Sequence, residues 1–250
     1  MSDELSLTLF AHLCAAPERN FVEAALLIAE IERPGLDTAR YLASLEDLSD
    51  GIRRAVGPKD NDEANEHLLE PAARWLFGAA GFHGNESDYY DPRNSFLHEV
   101  LNRRTGIPIS LAVLLIEVCR RAGIAAHGIS FPGHFLVGSS PSGARLIDPF
   151  TGRLLDRDSV RALYKKATGD GREPPARLFT PAFPAQILVR MLMNLRGIYA
   201  SRKDAEHLLA VLQRLHVLTP SDELAREINH LGGDSGRPWR TSLRGLAGSN

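Results

Sequence analysis

Apolar residues recur at helical spacing over much of the chain, and the pattern changes character in the middle. Asn20 precedes Phe21, Ala24, Ala25, Ile28 and Ile31, a stripe on one helical face that stops before Pro34. Asp37 is placed to cap a second helix carrying Tyr41, Leu45 and Leu48. A further helical stretch runs through Leu68, Leu69, Trp75, Leu76 and Phe77, where Pro71 is expected to kink or split it. Gly78, Gly81 and Gly84 then interrupt the pattern. The polar run 88–95 (DYYDPRNS) leads into a short helix over 96–104, with Asn94 or Ser95 as its cap and Thr105-Gly106 as its stop.

Beyond Ile107 the pattern is different. Residues 110–121 (SLAVLLIEVCRR) are nearly all apolar, begin beside Pro108 and close at Gly123. A helix that is apolar on most faces is buried on most sides. Three β-like runs follow, AAHGISF, HFLVG and ARLIDPF, joined first by Pro132-Gly133 and then by the turn-forming stretch SSPS-Gly143. Asp156 starts another helix. After the Pro-rich connection GDGREPPARLFTPAFP, helical spacing returns over 186–200, 203–217 and 221–230. The predicted fold class is α+β. Residues 1–106 form a helical N-terminal part of the core, and 107–168 a buried helix with a small antiparallel sheet. Residues 185–231 form C-terminal helices, and 232–250 a Gly/Ser-rich, aperiodic tail read as disordered.

Composition narrows the classes of function. A chain of 250 residues, 44% hydrophobic and 24% charged, can bury a core without metal or disulfide staples. Lys and Arg number 29 against 31 Asp and Glu, a net charge of -2. The basic doublets Arg53-Arg54, Arg103-Arg104, Arg120-Arg121 and Lys165-Lys166 are dispersed, so no nucleic-acid partner is expected. Cys14 and Cys119 are too few for a disulfide framework or a four-thiolate zinc site, and they fit a reducing compartment. The longest uncharged stretch, 122–144, carries two His, two Pro and five Gly, which suits strands and turns and implies no membrane helix. The N-terminus begins acidic, without the basic flank and small-residue cleavage site of a secretory signal. A cytoplasmic location follows as the expectation. No phosphate loop, GxGxxG, GxSxG or HExxH is present, so no cofactor and no metal are assigned.

The chemistry-bearing residues lie in the middle zone. A hairpin symmetric about Pro141 sets His134 directly across from Asp148 on one face, with Cβ atoms about 5 Å apart. That is reach enough for a carboxylate to orient an imidazole. A nucleophile at the start of the buried helix gains from the helix dipole and its free amides, and the residue there is Ser110.

The order of helix-start nucleophile, strand His and strand Asp in Asp-Pro resembles the transglutaminase-like (papain-related) core. More closely, DYYDPRNSFLHEVLNRRTGIPISLAVLLIEVCRRAGI, GISFPGHFLVG and LIDPFTG resemble the SirB-type proteins, over about residues 20–230. These are bacterial proteins that join such a core to tetratricopeptide-like helices. The stretch NLRGIYASRKDAEHLLAVLQRLHVLTPSDELA is similar to one tetratricopeptide unit, although a plain helical hairpin has the same pattern. The resemblance puts the nucleophile position on Ser110, the His on His134 and the Asp on Asp148. Active transglutaminases carry Cys where Ser110 stands; SirB-type members share the serine.

A thiol beside a His and a helix N-terminus becomes a thiolate, whereas a serine must lose its proton during attack. Cys119 lies half a helical turn round from Ser110 and points away from it. Cys14 is expected to be a small core residue. Two readings follow. In one, the chain is a binding or scaffold protein for a peptide or protein partner, with Ser110 a capping serine and His134–Asp148 a structural pair. In the other, Ser110, His134 and Asp148 form a triad for acyl transfer or amide hydrolysis. A weaker third reading places a metal between His127, His134 and Asp88 or Asp91. His98 and Glu99 are helix neighbours and are not expected to share a face. Tyr89-Tyr90 either packs over the core or lines a cleft by Ser110.

Overall fold

The computed structural model describes residues 3–57, 65–140 and 145–232. The fold is α+β, as the alternation of patterns predicts. The described chain divides into two compact units.

One unit spans Ala39–Tyr89 and Arg93–Phe183. At its centre is the helix Pro108–Arg121, which has eleven of its fourteen residues buried. In chain order the elements of the molecule run α1 (Asp3–Cys14), α2 (Pro17–Leu27), α3 (Thr38–Val56), α4 (Leu69–Arg74), β1 (His83–Gly84), α5 (Leu97–Arg103) and β2 (Thr105–Gly106). They continue as α6 (Pro108–Arg121), β3 (His127–Ile129), β4 (Leu136–Gly138), β5 (Leu146–Asp148), β6 (Arg153–Leu155), α7 (Arg157–Thr168), α8 (Pro184–Arg202), α9 (Ala205–Leu218) and α10 (Asp222–Leu231). Pro108 starts α6 because its missing N–H costs nothing in a first turn. The one buried carboxylate of α6, Glu117, is held by Arg121 Nε at 2.6 Å and Arg120 Nε at 2.9 Å. A buried charge needs such partners.

Strands β3 to β6 form an antiparallel meander in sequence order. Ile129, Leu136 and Leu146 share one face of it with Val160 of α7, while α6 packs against β3 and β4. The fourth strand, β6, was not foreseen; Leu154-Leu155 is too short a run to stand out. Asp156 caps α7 as expected, accepting from the Ser159 amide at 2.8 Å.

Three local expectations are corrected. Pro71 lies in the first turn of α4, where proline is tolerated, so the change of geometry falls later, in a wider π-turn at Trp75–Ala79. That turn sets the Trp75 ring against α3 so closely that a Cβ on Gly51 would lie 2.2 Å from it. Neither Asn94 nor Ser95 caps α5; both fall in a 3-10 turn, Pro92–Ser95, and Phe96 occupies the cap position without a side-chain bond. Arg104, in the left-handed region at φ 56°, ends that helix one residue before the expected Thr105-Gly106 stop, which instead forms β2 beside β1.

The other unit holds α1 and α2, the stretch Tyr90–Pro92 and α8 to α10. The short break between α8 and α9 holds Lys203 at φ 55° and Asp204, whose carboxylate caps α9 through the His207 amide at 3.2 Å. Helices α8 and α9 pack as a hairpin, with α10 against α9. Buried Tyr199 of α8 donates to Glu32 Oε1 at 2.5 Å, and Arg214 of α9 donates to Ser6 at 2.9 Å, tying both N- and C-terminal segments together. Among the described residues, no helix is long and apolar enough to cross a membrane. The expected tail lies, from 233 onward, outside the described residues, as do 141–144 of the expected SSPS-Gly143 turn.

Candidate functional site

His134 sits in the tight turn between β3 and β4, its amide donating to the Phe131 carbonyl at 3.1 Å. Gly133, at φ 65°, makes that turn possible. Asp148 is the last residue of β5. Its Oδ1 accepts from the Phe150 amide at 2.9 Å and its Oδ2 from Thr151 Oγ1 at 3.0 Å, a side-chain-capped turn typical of Asp. His134 Nε2 lies 2.7 Å from Asp148 Oδ1.

The pair therefore forms, but not by the expected register. Val137 pairs with Ile147 and Gly138 with Leu146, which brings Leu136, and not His134, level with Asp148. The shift is two residues, and His134 lies in the turn before β4, reaching the Asp148 carboxylate from outside the ladder.

Burial pushes the Asp148 carboxyl up, but bonds from His134, the Phe150 amide and Thr151 outweigh it and hold the group below the usual carboxylate range. A group whose folded pKa is lowered adds stability above its unfolded pKa, about 3.9, and loses it as pH falls through the folded value. Wild type is thus expected to lose its stability advantage over Asp148→Asn as pH drops below about 4. Urea midpoints of both proteins between pH 6 and 3 check this; an advantage that grows with acid refutes it.

Ser110 is at the third position of α6 and is fully buried. Its Oγ accepts from the Ile107 amide at 3.1 Å, so the serine is not at the cap position but three residues inside the helix, bonding back to the N-cap amide. Its hydroxyl approaches the Asn94 carbonyl at 2.5 Å and the Ile107 carbonyl at 3.2 Å. His134 is not among its partners.

Asn85, which sequence reasoning missed, and Asn94, read there only as a helix cap, organise the loop beside Ser110. Asn94, fully buried, donates from Nδ2 to the Asp88 carbonyl at 2.7 Å and receives Asn85 Nδ2 on its own Oδ1 at 3.0 Å. Asn85 Oδ1 in turn accepts from Ser87 Oγ and the Asp88 amide, each at 3.0 Å. These bonds shape the 85–94 loop. The Tyr89 ring packs on Phe150 at 6.0 Å, so this loop reaches the turn that holds Asp148. Gly84 completes the contact: its amide donates to the Phe150 carbonyl at 3.1 Å, and a Cβ there would lie 2.4 Å from the Phe150 ring. The only available signal was two Asn residues flanking an aromatic, polar run.

The remaining candidates fall away. His127 lies on β3 opposite Gly138, its Nε2 buried without a partner among the described residues. Among the described residues, no three His, Cys, Asp or Glu are grouped to hold a metal, so the His127–His134 reading with Asp88 or Asp91 is not borne out. His98 and Glu99 do approach, Nε2 to Oε1 at 3.4 Å, because the long glutamate side chain spans the separation that their helix positions create. His98 is nonetheless buried against the Tyr41 and Phe96 rings. Burial pushes both the Cys119 and Cys14 thiols up to about 12, so neither is a nucleophile near neutral pH.

A buried helix whose first turn faces a polar loop, with a His–Asp pair on an antiparallel meander, belongs to the transglutaminase-like superfamily, whose family pattern matches residues 39–193. Within it the chain belongs with the UPF0162 proteins. It is 38% identical over 231 residues to a UPF0162 protein of Xylella fastidiosa, covering 88% of this chain and 80% of that one. It is 33% identical over 198 residues to a UPF0162 protein of Pseudomonas aeruginosa, covering 79% of this chain and 72% of that one. A shorter stretch of 75 residues is 39% identical to human F-box only protein 21, 30% of this chain and 12% of that protein. No solved structure matches.

Proposed function

We propose that this chain is a SirB-type, cytoplasmic binding protein for a peptide or protein partner, in which Ser110 is structural and not a nucleophile. One observation carries the reading. A serine hydroxyl has a single proton, and the acceptors around Ser110 Oγ are backbone carbonyls, Asn94 at 2.5 Å and Ile107 at 3.2 Å, in a position with no solvent exposure. A nucleophilic serine needs its proton on a base and its oxygen open to a carbonyl carbon. The hairpin of α8 and α9 followed by α10 supports the binding role as tetratricopeptide-like helices, since such helices present extended surfaces to peptides.

The second reading, a Ser110–His134–Asp148 enzyme for acyl transfer or amide hydrolysis, draws on the 2.7 Å His134–Asp148 pair. A serine-directed fluorophosphonate probe separates the two. Intact-mass spectra are expected to show no adduct on Ser110, and Ser110→Cys is expected to resist iodoacetamide near neutral pH. An adduct that forms on wild type and vanishes in Ser110→Ala replaces the binding reading with the enzymatic one.

A further inference from the structure

The antiparallel meander has two edges, and the chain closes one of them. On β3 the Gly128 carbonyl accepts from the Ala182 amide at 2.8 Å. On β6 there is no counterpart: its ladder is with β5, and among the described residues no hydrogen bond reaches its outer side. Every second residue of an antiparallel edge turns its N–H and C=O away from the ladder, so β6 keeps backbone groups open to an added strand. Alternation puts Arg153 and Leu155 on the face where Leu155 packs against Ile129, Leu136 and Val160, and Leu154, 43% exposed, on the other.

Charge decides what fits there. Arg153 is exposed and has no ion pair among the described residues; Asp148, level with it on β5, is taken up by His134 and Thr151. Arg157, exposed as well and with Glu173 at 3.3 Å, follows two residues after Leu155. Two copies paired antiparallel about Leu154 would set each Arg153 diagonal to the other, like charges on one face. An acidic strand reverses the sign. A carboxylate opposite Leu155 stands diagonal to Arg153, one opposite Arg153 meets it directly, and an apolar residue between them meets Leu154. We propose that the outer edge of β6 takes up an extended acidic segment of a protein partner, carboxylates alternating with apolar residues, as an added strand.

The inference rests on the chain being a binding protein, and the test keeps the two apart. The full chain, labelled with 15N, is titrated at low salt with the peptide Glu-Val-Glu-Val-Glu-Val-Glu and with its counterpart carrying Lys for Glu. The acidic peptide is expected to shift the amide signals of Arg153–Leu155 and to bind about 10-fold tighter than the basic one. Arg153→Glu is expected to reverse that order, a swap that loss of the fold does not produce. If the order is unchanged in Arg153→Glu, or if wild type binds both peptides equally, the proposal falls. No shift at about 1 mM acidic peptide overturns it as well. Shifts confined to α8–α10 overturn the edge and leave the binding reading standing, whereas a fluorophosphonate adduct on Ser110 strikes the binding reading alone. A dimer in light scattering that Leu154→Asp dissolves assigns the edge to a second copy and refutes the acidic partner.

Discussion

Ser110→Ala is expected to lower the free energy of unfolding by about 2–4 kcal/mol, from two buried polar groups each losing a partner at about 1–2 kcal/mol, the lower part of the range for such groups. The substitution removes one oxygen from a fully buried position and leaves both the Asn94 carbonyl and the Ile107 amide without it. No water-filled surface lies there to take over the bonds, because Ser110, Asn94 and Ile107 are all buried. The back-bond from the third residue of α6 to the N-cap amide goes with the hydroxyl. Equilibrium urea unfolding with an unchanged m-value is the measurement. A loss below about 0.5 kcal/mol, the range of an ordinary surface substitution, contradicts a structural role for this serine.

Leu114→Ala is expected to cost about as much or more, on the order of 2–5 kcal/mol, as for other large-to-small changes in closed cores. Leu114 has no exposed surface, and its neighbours Leu111, Val113, Leu115 and Val118 are equally enclosed, so the cavity cannot be filled by a side chain swinging in from solvent. Leu114→Met, which conserves volume, is expected to lose under about 1.5 kcal/mol. Thermal and urea unfolding of the pair check the contrast; equal losses would mean that α6 is not the closed centre of its unit.

How far each feature could be read from the chain depended on whether its cause was local. The helix starts at Pro108 and Asp156 were legible, since a ring-locked φ and a carboxylate three residues ahead of a free amide act within one turn. The all-round apolar face of 110–121 announced its burial for the same reason. Asn94 was misread as a cap because its side chain has two jobs available, and the nonlocal one, bonding Asp88 and Asn85, won. His134 and Asp148 were paired correctly through an incorrect register; His134 stands in the turn before β4, and its side chain reaches the carboxylate without being level with it in the ladder.

What the order of residues determined by itself was therefore the class of fold, the buried helix α6 and the meeting of His134 with Asp148. Only the folded chain decided which acceptors surround Ser110. A hydroxyl rotates to bond the acceptor within reach, and the 85–94 loop brings the Asn94 carbonyl to 2.5 Å. That loop is set by two buried asparagines bonded to each other and to the Asp88 backbone, within ten residues of chain.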